Sequence, residues 1–187
     1  MNTLIARYNT LTSTLERADG LLSLLARILF AAILMVYFWV SGLTKLGDGI
    51  LGLFQPAMGA YAQIFPKAME TAGYDVSQLN ILHTLVVLAG TWAEFILPAL
   101  IVFGLATRLA ALGMIGFITV QSLTDMFGHG LLADPGAVGA WFDKVPDAII
   151  MDQRALWIFP LIVLVIKGAG PLSLDRLAEH RLAHSSL

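Results

Sequence analysis

The chain has 187 residues, 58% of them hydrophobic and only 13% charged, with a mean hydropathy of +0.80. Soluble domains carry about 25% charged residues, so there is too little polar surface here to cover a water-facing globule. A net charge of −2 without a basic stripe argues against a nucleic-acid partner, and the lack of cysteine excludes disulfide exchange, thiolate metal sites, iron–sulfur ligation and covalent haem attachment.

Residues 1–20, MNTLIARYNTLTSTLERADG, place Leu4, Ile5, Tyr8, Leu11 and Leu15 at helical spacing with Arg7, Glu16 and Arg17 between them. This predicts an amphipathic helix lying on a membrane surface. Four apolar runs follow, at 21–44, 81–103, 109–124 and 155–166. The first two reach or exceed the roughly 20 residues that a helix needs to cross about 30 Å of hydrocarbon. The third is long enough once Leu105, Ala106 and Leu109 are counted with it. The fourth, RALWIFPLIVLVIKGAG, is short, and its flanking Arg154 and Lys167 are expected to snorkel to the two interfaces. The expected spans are thus about 21–45, 80–103, 107–125 and 154–167, followed by a cytoplasmic tail over 170–187. The dyad alternation of a barrel is absent, so the expected fold is all-α: an integral membrane four-helix bundle, one domain over 1–187. The first span is too long for the core of a signal peptide and no small-residue cleavage site follows it, so it reads as an uncleaved anchor.

With four spans, both termini share one side of the membrane. Arg7, Arg17, Arg27, Arg108, Lys167, Arg176 and Arg181 fall on that side and Lys45, Lys67, Lys144 and Arg154 on the other. That excess places both termini in the cytoplasm, with the bacterial inner membrane as the expected location. The turn GLATR (104–108) is tight, so spans two and three form an antiparallel hairpin. The two connections on the outer side are long and contain Phe54, Tyr61, Phe65, Trp141 and Phe142. Loops of that length rarely lack structure, and their aromatics predict interfacial helices capping the outer end of the bundle.

A charge near the bilayer centre costs about 2.5–3.5 kcal/mol on insertion scales, so it normally faces the protein interior and has a partner. The stretch AGTWAEFILPALIVF (89–103) carries one carboxylate, Glu94, roughly 14 Å from the cytoplasmic end of span two at 1.5 Å per residue. Arg27 lies about 9 Å from the same side, a difference that two long side chains can bridge. Arg27 and Glu94 are therefore the expected pair, and Arg108 completes an expected buried charge cluster able to relay protons. A second group gathers toward the outer end. Ser41 and Lys45 are i, i+4 neighbours, while Gln121, Thr124 and Asp125 close span three with His129 just beyond. His83 precedes Glu94 by eleven residues, three helical turns, and is expected to point the same way. Lys45, His83, Gln121 and Asp125 then form a candidate ligand-binding set along one interior seam.

Structural roles compete with each assignment: snorkelling for Arg27 and Lys45, a packing ion pair or a neutral, protonated side chain for Glu94, and interfacial hydrogen bonding for His83. Gln121, Thr124 and Asp125 can serve as interhelical contacts or as a helix cap. His180 and His184 have metal-ligand spacing, but in a polar tail no metal site is expected of them.

Three stretches carry a resemblance. LARILFAAILMVYFWVSGLTKL (25–46), AEFILPALIVFGLATRLAALGM (93–114) and KGAGPLSLDRL (167–177) resemble the DoxX family of small bacterial membrane proteins. The matching positions are Arg27, Gly42 and Lys45, Glu94, Gly104 and Arg108, then Gly168, Gly170, Ser173 and Asp175. The resemblance implies a membrane subunit, since the family takes its name from one associated with thiosulfate:quinone oxidoreductase. Other members look like partners in oxidative-stress or metal-handling systems. The segment 48–79 is longer than in many members, and the resemblance assigns no role to GHGLLADPGAVGAWFDKV.

Two classes of function fit. One is an accessory or scaffold subunit of a redox, stress-response or metal-handling membrane system. The alternative is a quinone-linked oxidoreductase subunit, with His83, Gln121, Asp125 and Lys45 donating to quinone carbonyls and Glu94 relaying protons. A second alternative is passage of a small molecule or metal complex. Asp48, Asp75, Asp134, Asp143, Asp147 and Asp152 make the outer loops acidic, which disfavours an anionic substrate from that side. The sequence leaves open whether the chain is an enzyme, and quinone is the one cofactor candidate. Expected partners are the lipid bilayer, an extracytoplasmic protein and a second copy of the chain.

Overall fold

The computed structural model describes residues 2–16 and 18–185. Its α-helices, in chain order, are α1 (Asn2–Glu16), α2 (Asp19–Phe30), α3 (Val36–Leu43), α4 (Met58–Ile64) and α5 (Pro66–Thr71). They continue with α6 (Ile81–Phe103), α7 (Thr107–Leu123), α8 (Pro135–Val138), α9 (Arg154–Lys167) and α10 (Leu174–Ser185). π-helical turns join α2 to α3 (Ala31–Met35), extend α7 (Thr124–Gly128) and lead into α9 (Ile149–Gln153). Four helices are thereby long and apolar enough to cross a membrane: Gly20–Leu43, Ile81–Phe103, Thr107–Gly128 and Ile149–Lys167, spans one to four. Among the described residues there is no strand, only an isolated bridge between Leu46 and Pro56. The expected all-α architecture is present. Span four starts five residues earlier than the hydropathy suggests, because its first turn is π-helical and contains Asp152 and Gln153. Arg17, counted above in the charge balance, lies outside the described residues.

Span one packs on spans two and four, and span three packs on the same two, so the helices close a ring in chain order. Ala26, Phe30, Leu34 and Phe38 recur every fourth residue on span one and form one face. That face meets Ile101, Ala111, Met114, Ile118, Leu161 and Leu164 in a single core. Lipid tails are as apolar as these side chains, so cohesion here comes from close packing rather than from exclusion of water. The opposite faces expose Leu25, Ile28, Val36, Leu109, Leu156 and Phe159, as a lipid-facing surface requires.

Both chain ends lie at one end of the bundle. A Cβ on Gly20 would come within 2.9 Å of Pro171 Cδ, so the starts of span one and of the final segment touch. The first long connection folds over the other end. Ala60 and Tyr61 of α4 and Met69 of α5 bury against Val87 of span two, and the Tyr61 hydroxyl donates to Thr84 Oγ1 at 3.2 Å. Helices thus form in both long connections, with α8 in the second.

Candidate functional site

The expected Arg27–Glu94–Arg108 cluster does not form. Arg27 donates to four backbone carbonyls: Nε to Ile101 at 3.1 Å, Nη2 to Val102 at 2.5 Å, and Nη1 to Ala169 at 3.1 Å and Leu172 at 2.5 Å. The cause is directional. A helical side chain leans toward the N-terminus of its own helix, which carries the guanidinium away from Glu94 to the end of span two. The last carbonyls of a helix have no partner within it, and those of span two meet Arg27 there. Gly104, left-handed at φ +67, ends α6, and a Cβ on it would sit 2.9 Å from Arg27 Cζ and 2.6 Å from Ser173 Cβ. Asp175 completes this knot. Its carboxylate accepts the N–H of Ala106 at 2.7 Å and of Thr107 at 3.0 Å, and its own N–H donates to Gly104 O at 2.8 Å. Burial alone would raise the Asp175 carboxyl, but the hydrogen bonds from Thr107 and Ala106 and the charge of Arg27 hold it below the ordinary carboxylate range. Arg108 is engaged separately, donating to Val165 O at 3.0 Å.

Glu94 finds Lys45 instead. Lys45 Nζ lies 3.0 Å from both carboxylate oxygens, and the Ser41 hydroxyl donates to Oε1 at 2.9 Å. Glu94 is only 3% exposed and Lys45 only 4%. Lys45 does not snorkel because the chain folds back over it: Ala57 N–H donates to Lys45 O at 3.0 Å, and Leu46 bridges to Pro56. Glu94 Oε2 has the charge of Lys45 beside it but no hydrogen-bond donor among the described residues.

A second buried pair stands opposite. Arg154 Nη2 donates to Asp125 Oδ2, joining spans three and four. Arg154 is 4% exposed, against the expectation that it would snorkel, since the π-helical turn Ile149–Gln153 carries the helix past it. Its Nε and Nη1 have no hydrogen-bond partner among the described residues, and neither does Gln121 Oε1. Gln121 Nε2 donates to the Tyr37 hydroxyl at 3.0 Å.

These groups line one cavity of about 680 Å³. Ala89, Gly90 and Ala93 of span two and Gly113 and Gly116 of span three form its walls. Their small side chains leave the space, and a Cβ on Gly116 would meet nothing within 4 Å. Gln63 and Ile64 of α4 cover it, and His129 Nε2 lies 2.9 Å from Gln63 O. Of the predicted ligand set, Lys45, Gln121 and Asp125 are brought together here with Glu94, as are Ser41, Thr124 and His129. His83 is not. Its ring packs edge-on against Phe65 at 4.7 Å and its Nδ1 lies 2.8 Å from Asn80 Oδ1, so the α4–α5 segment covers it away from the cavity. Arg108 and Arg27 lie at the far end of the bundle, beside Gly168 and Gly104.

Sequence reasoning missed Tyr37 and Gln63, and misread Arg154. Spans three and four are antiparallel neighbours, so Asp125 and Arg154, opposite charges at their facing ends, were a readable signal for that pair. No group of three His, Cys, Asp or Glu side chains gathers among the described residues, and the His184 side chain lies outside them. Chemically, the cavity has apolar walls and two neutral ion pairs. It offers a buried carboxylate oxygen of Glu94 that is ion-paired with Lys45 but accepts no hydrogen bond, and two buried guanidinium nitrogens of Arg154 without acceptors among the described residues.

No curated protein and no solved structure matches the chain. The DoxX family model matches residues 22–124, from span one to the end of α7, which is more than half of the chain. With that match and its four spans, the chain is a multi-pass membrane protein of the DoxX family.

Proposed function

We propose that this protein is a ligand-binding accessory subunit of a redox system in a bacterial inner membrane, with both termini cytoplasmic, and that its cavity takes the head of a quinone-type molecule from the bilayer. The observation that carries this is the set of unmatched buried groups, Glu94 Oε2 and Arg154 Nε and Nη1, around an apolar-walled space. Buried polar groups are normally hydrogen-bonded, and leaving one unmade costs about 1–3 kcal/mol. A ligand that supplies the missing partners removes that cost. Pockets of roughly 300–1,000 Å³ with apolar walls and a few convergent polar groups are typical of small-molecule sites. A quinone-type head combines a flat apolar ring with polar oxygens, and its tail reaches the site through lipid. The charges of Lys45 and Arg154 are offset by those of Glu94 and Asp125, so a neutral head suits the cavity better than an anion. The family's namesake association with a quinone-reducing system agrees with this reading. Exposed Trp141 and Phe142 on the second long connection supply a surface for an extracytoplasmic partner subunit.

The test is extraction. Protein purified in mild detergent should yield about one equivalent of a quinone-type molecule by mass spectrometry. Gly116→Leu, which fills the cavity without touching a charge, should lose it. Lipid alone in the unmodified protein would overturn the proposal.

A further inference from the structure

The hydrogen-bonding groups of the cavity distinguish between the two redox forms of such a head. This step rests on the reading of the cavity as a quinone-type site. Glu94 and Asp125 line the space within ion-pair distance of Lys45 and Arg154, and in such a pair the carboxylate can only accept hydrogen bonds. Arg154 can only donate. Glu94 Oε2, which meets the Lys45 charge at 3.0 Å without a hydrogen bond, can therefore take a donor, while Arg154 Nε and Nη1 lack acceptors. The Gln121 amide can turn either its oxygen or its nitrogen to a ligand and discriminates less.

An oxidised quinone offers carbonyl oxygens alone. It satisfies Arg154 but sets an acceptor against Glu94 Oε2, which stays unmatched in a buried site. A quinol offers both functions in each hydroxyl, an O–H to donate and an oxygen to accept. We propose that the cavity selects the reduced, dihydroxy form of the head, with one hydroxyl donating to Glu94 Oε2 and the ring oxygens accepting from Arg154. Apolar walls from Ala93, Gly113 and Gly116 admit the ring, and the neutral sum of the four charges excludes ionised heads of either sign. Leaving one buried charged acceptor without its donor lowers affinity by about tenfold or more, which sets the expected preference.

The test is anaerobic titration of the full-length protein in mild detergent with a short-tailed benzoquinone and, separately, with its quinol, read by calorimetry. The quinol should bind at least about tenfold more tightly. Glu94→Gln places an amide nitrogen where a carbonyl can accept from it, so the ratio should move toward one through tighter quinone binding. Gly116→Leu should lose both ligands. Equal or tighter quinone binding by the unmodified protein overturns the selectivity and leaves the cavity reading intact. Binding of neither form overturns the cavity reading and the selectivity with it. An unchanged ratio in Glu94→Gln, in protein that elutes as a single species, removes Glu94 as the discriminating group and overturns the proposal.

Discussion

Replacing Arg27 by methionine tests the most consequential departure from charge-pair reasoning. Methionine keeps an unbranched stem of similar length in the core, so the change removes the guanidinium while creating little empty volume. Four carbonyls lose a donor, but Ile101 O still accepts from Gly104 N–H at 3.1 Å. Val102, Ala169 and Leu172 keep no other hydrogen-bond donor among the described residues. An orphaned buried acceptor costs about 1–3 kcal/mol, and the lower end applies because removing Arg27 also removes the cost of burying its charge. Three carbonyls then amount to about 3 kcal/mol. A chain of this size shifts by about 2–4 °C per kcal/mol, so the melting temperature in detergent should fall by about 6–12 °C. Circular dichroism on heating reads this directly. Arg27→Lys should recover only part of the loss, because an ammonium cannot reproduce the planar fork that serves two helix-end and two loop carbonyls. A melting temperature within about 2 °C of the unmodified protein would refute the carbonyl-binding account of Arg27.

Three further outcomes follow from the same geometry. Lys45→Met and Glu94→Gln should each destabilise, and their double variant should lose clearly less than the sum, whereas Arg27→Met and Glu94→Gln should add; a thermal double-mutant cycle separates the two pairings. Gly104→Ala forces a side chain into a left-handed position and a 2.6 Å contact with Ser173, so it should cost at least about 1–2 kcal/mol in the same melt, and an unchanged melt would refute the close packing of the knot. The Asp175 carboxyl is held low in the folded chain, so its contribution is complete above about pH 4, the unfolded value, and is lost as pH falls through the lower folded one. Asp175→Asn should accordingly flatten the acid limb of a melting-temperature profile against pH, and a parallel limb would count against the hydrogen bonds to Ala106 and Thr107.

Composition and run length were enough to read four spans and the hairpin at 104–108, since both depend on local hydropathy and on a glycine that ends a helix. Lys45, Gln121 and Asp125 were also legible as a set, because their positions near span ends constrain depth. The Arg27–Glu94 pairing failed for a definable reason. Depth bookkeeping weighs charges against charges, and it omits the backbone carbonyls that every helix end presents. Gly104 and the glycines at 168 and 170 mark where those carbonyls lie bare, so the competing partner was present in the sequence in another form. His83 failed differently. Its three-turn spacing from Glu94 is sound, but the α4–α5 segment covers that part of span two, and no local pattern announces where a long connection will settle. Arg154 was misread because a π-helical turn extends span four beyond its apolar run.

The positions that match the family pattern separate into two assemblies with different physical logic. Arg27, Gly104, Ser173 and Asp175 tie one end of the bundle through backbone groups, with Gly168 against Arg108 beside them. Such bonds fix geometry, and at that end Thr107 Oγ1 is the buried side-chain atom without a hydrogen-bond partner among the described residues. Lys45 and Glu94 belong to the other assembly, where the Lys45–Glu94 pair joins spans one and two and the Asp125–Arg154 pair joins spans three and four. Among the described residues no ion pair crosses from span two to span three, and that seam holds the small residues Gly90, Ala93, Gly113 and Gly116. A charge pair across the seam would draw the two helices together and close the space. Placing both pairs on the flanking seams keeps the walls apart while turning the unmatched faces of Glu94 and Arg154 inward. A purely structural ion pair would gain from satisfying those faces within the protein, since an orphaned buried donor or acceptor is the costly outcome. Their being left open around a cavity is the observation behind the proposal that the glutamate of span two serves a ligand as well as the scaffold.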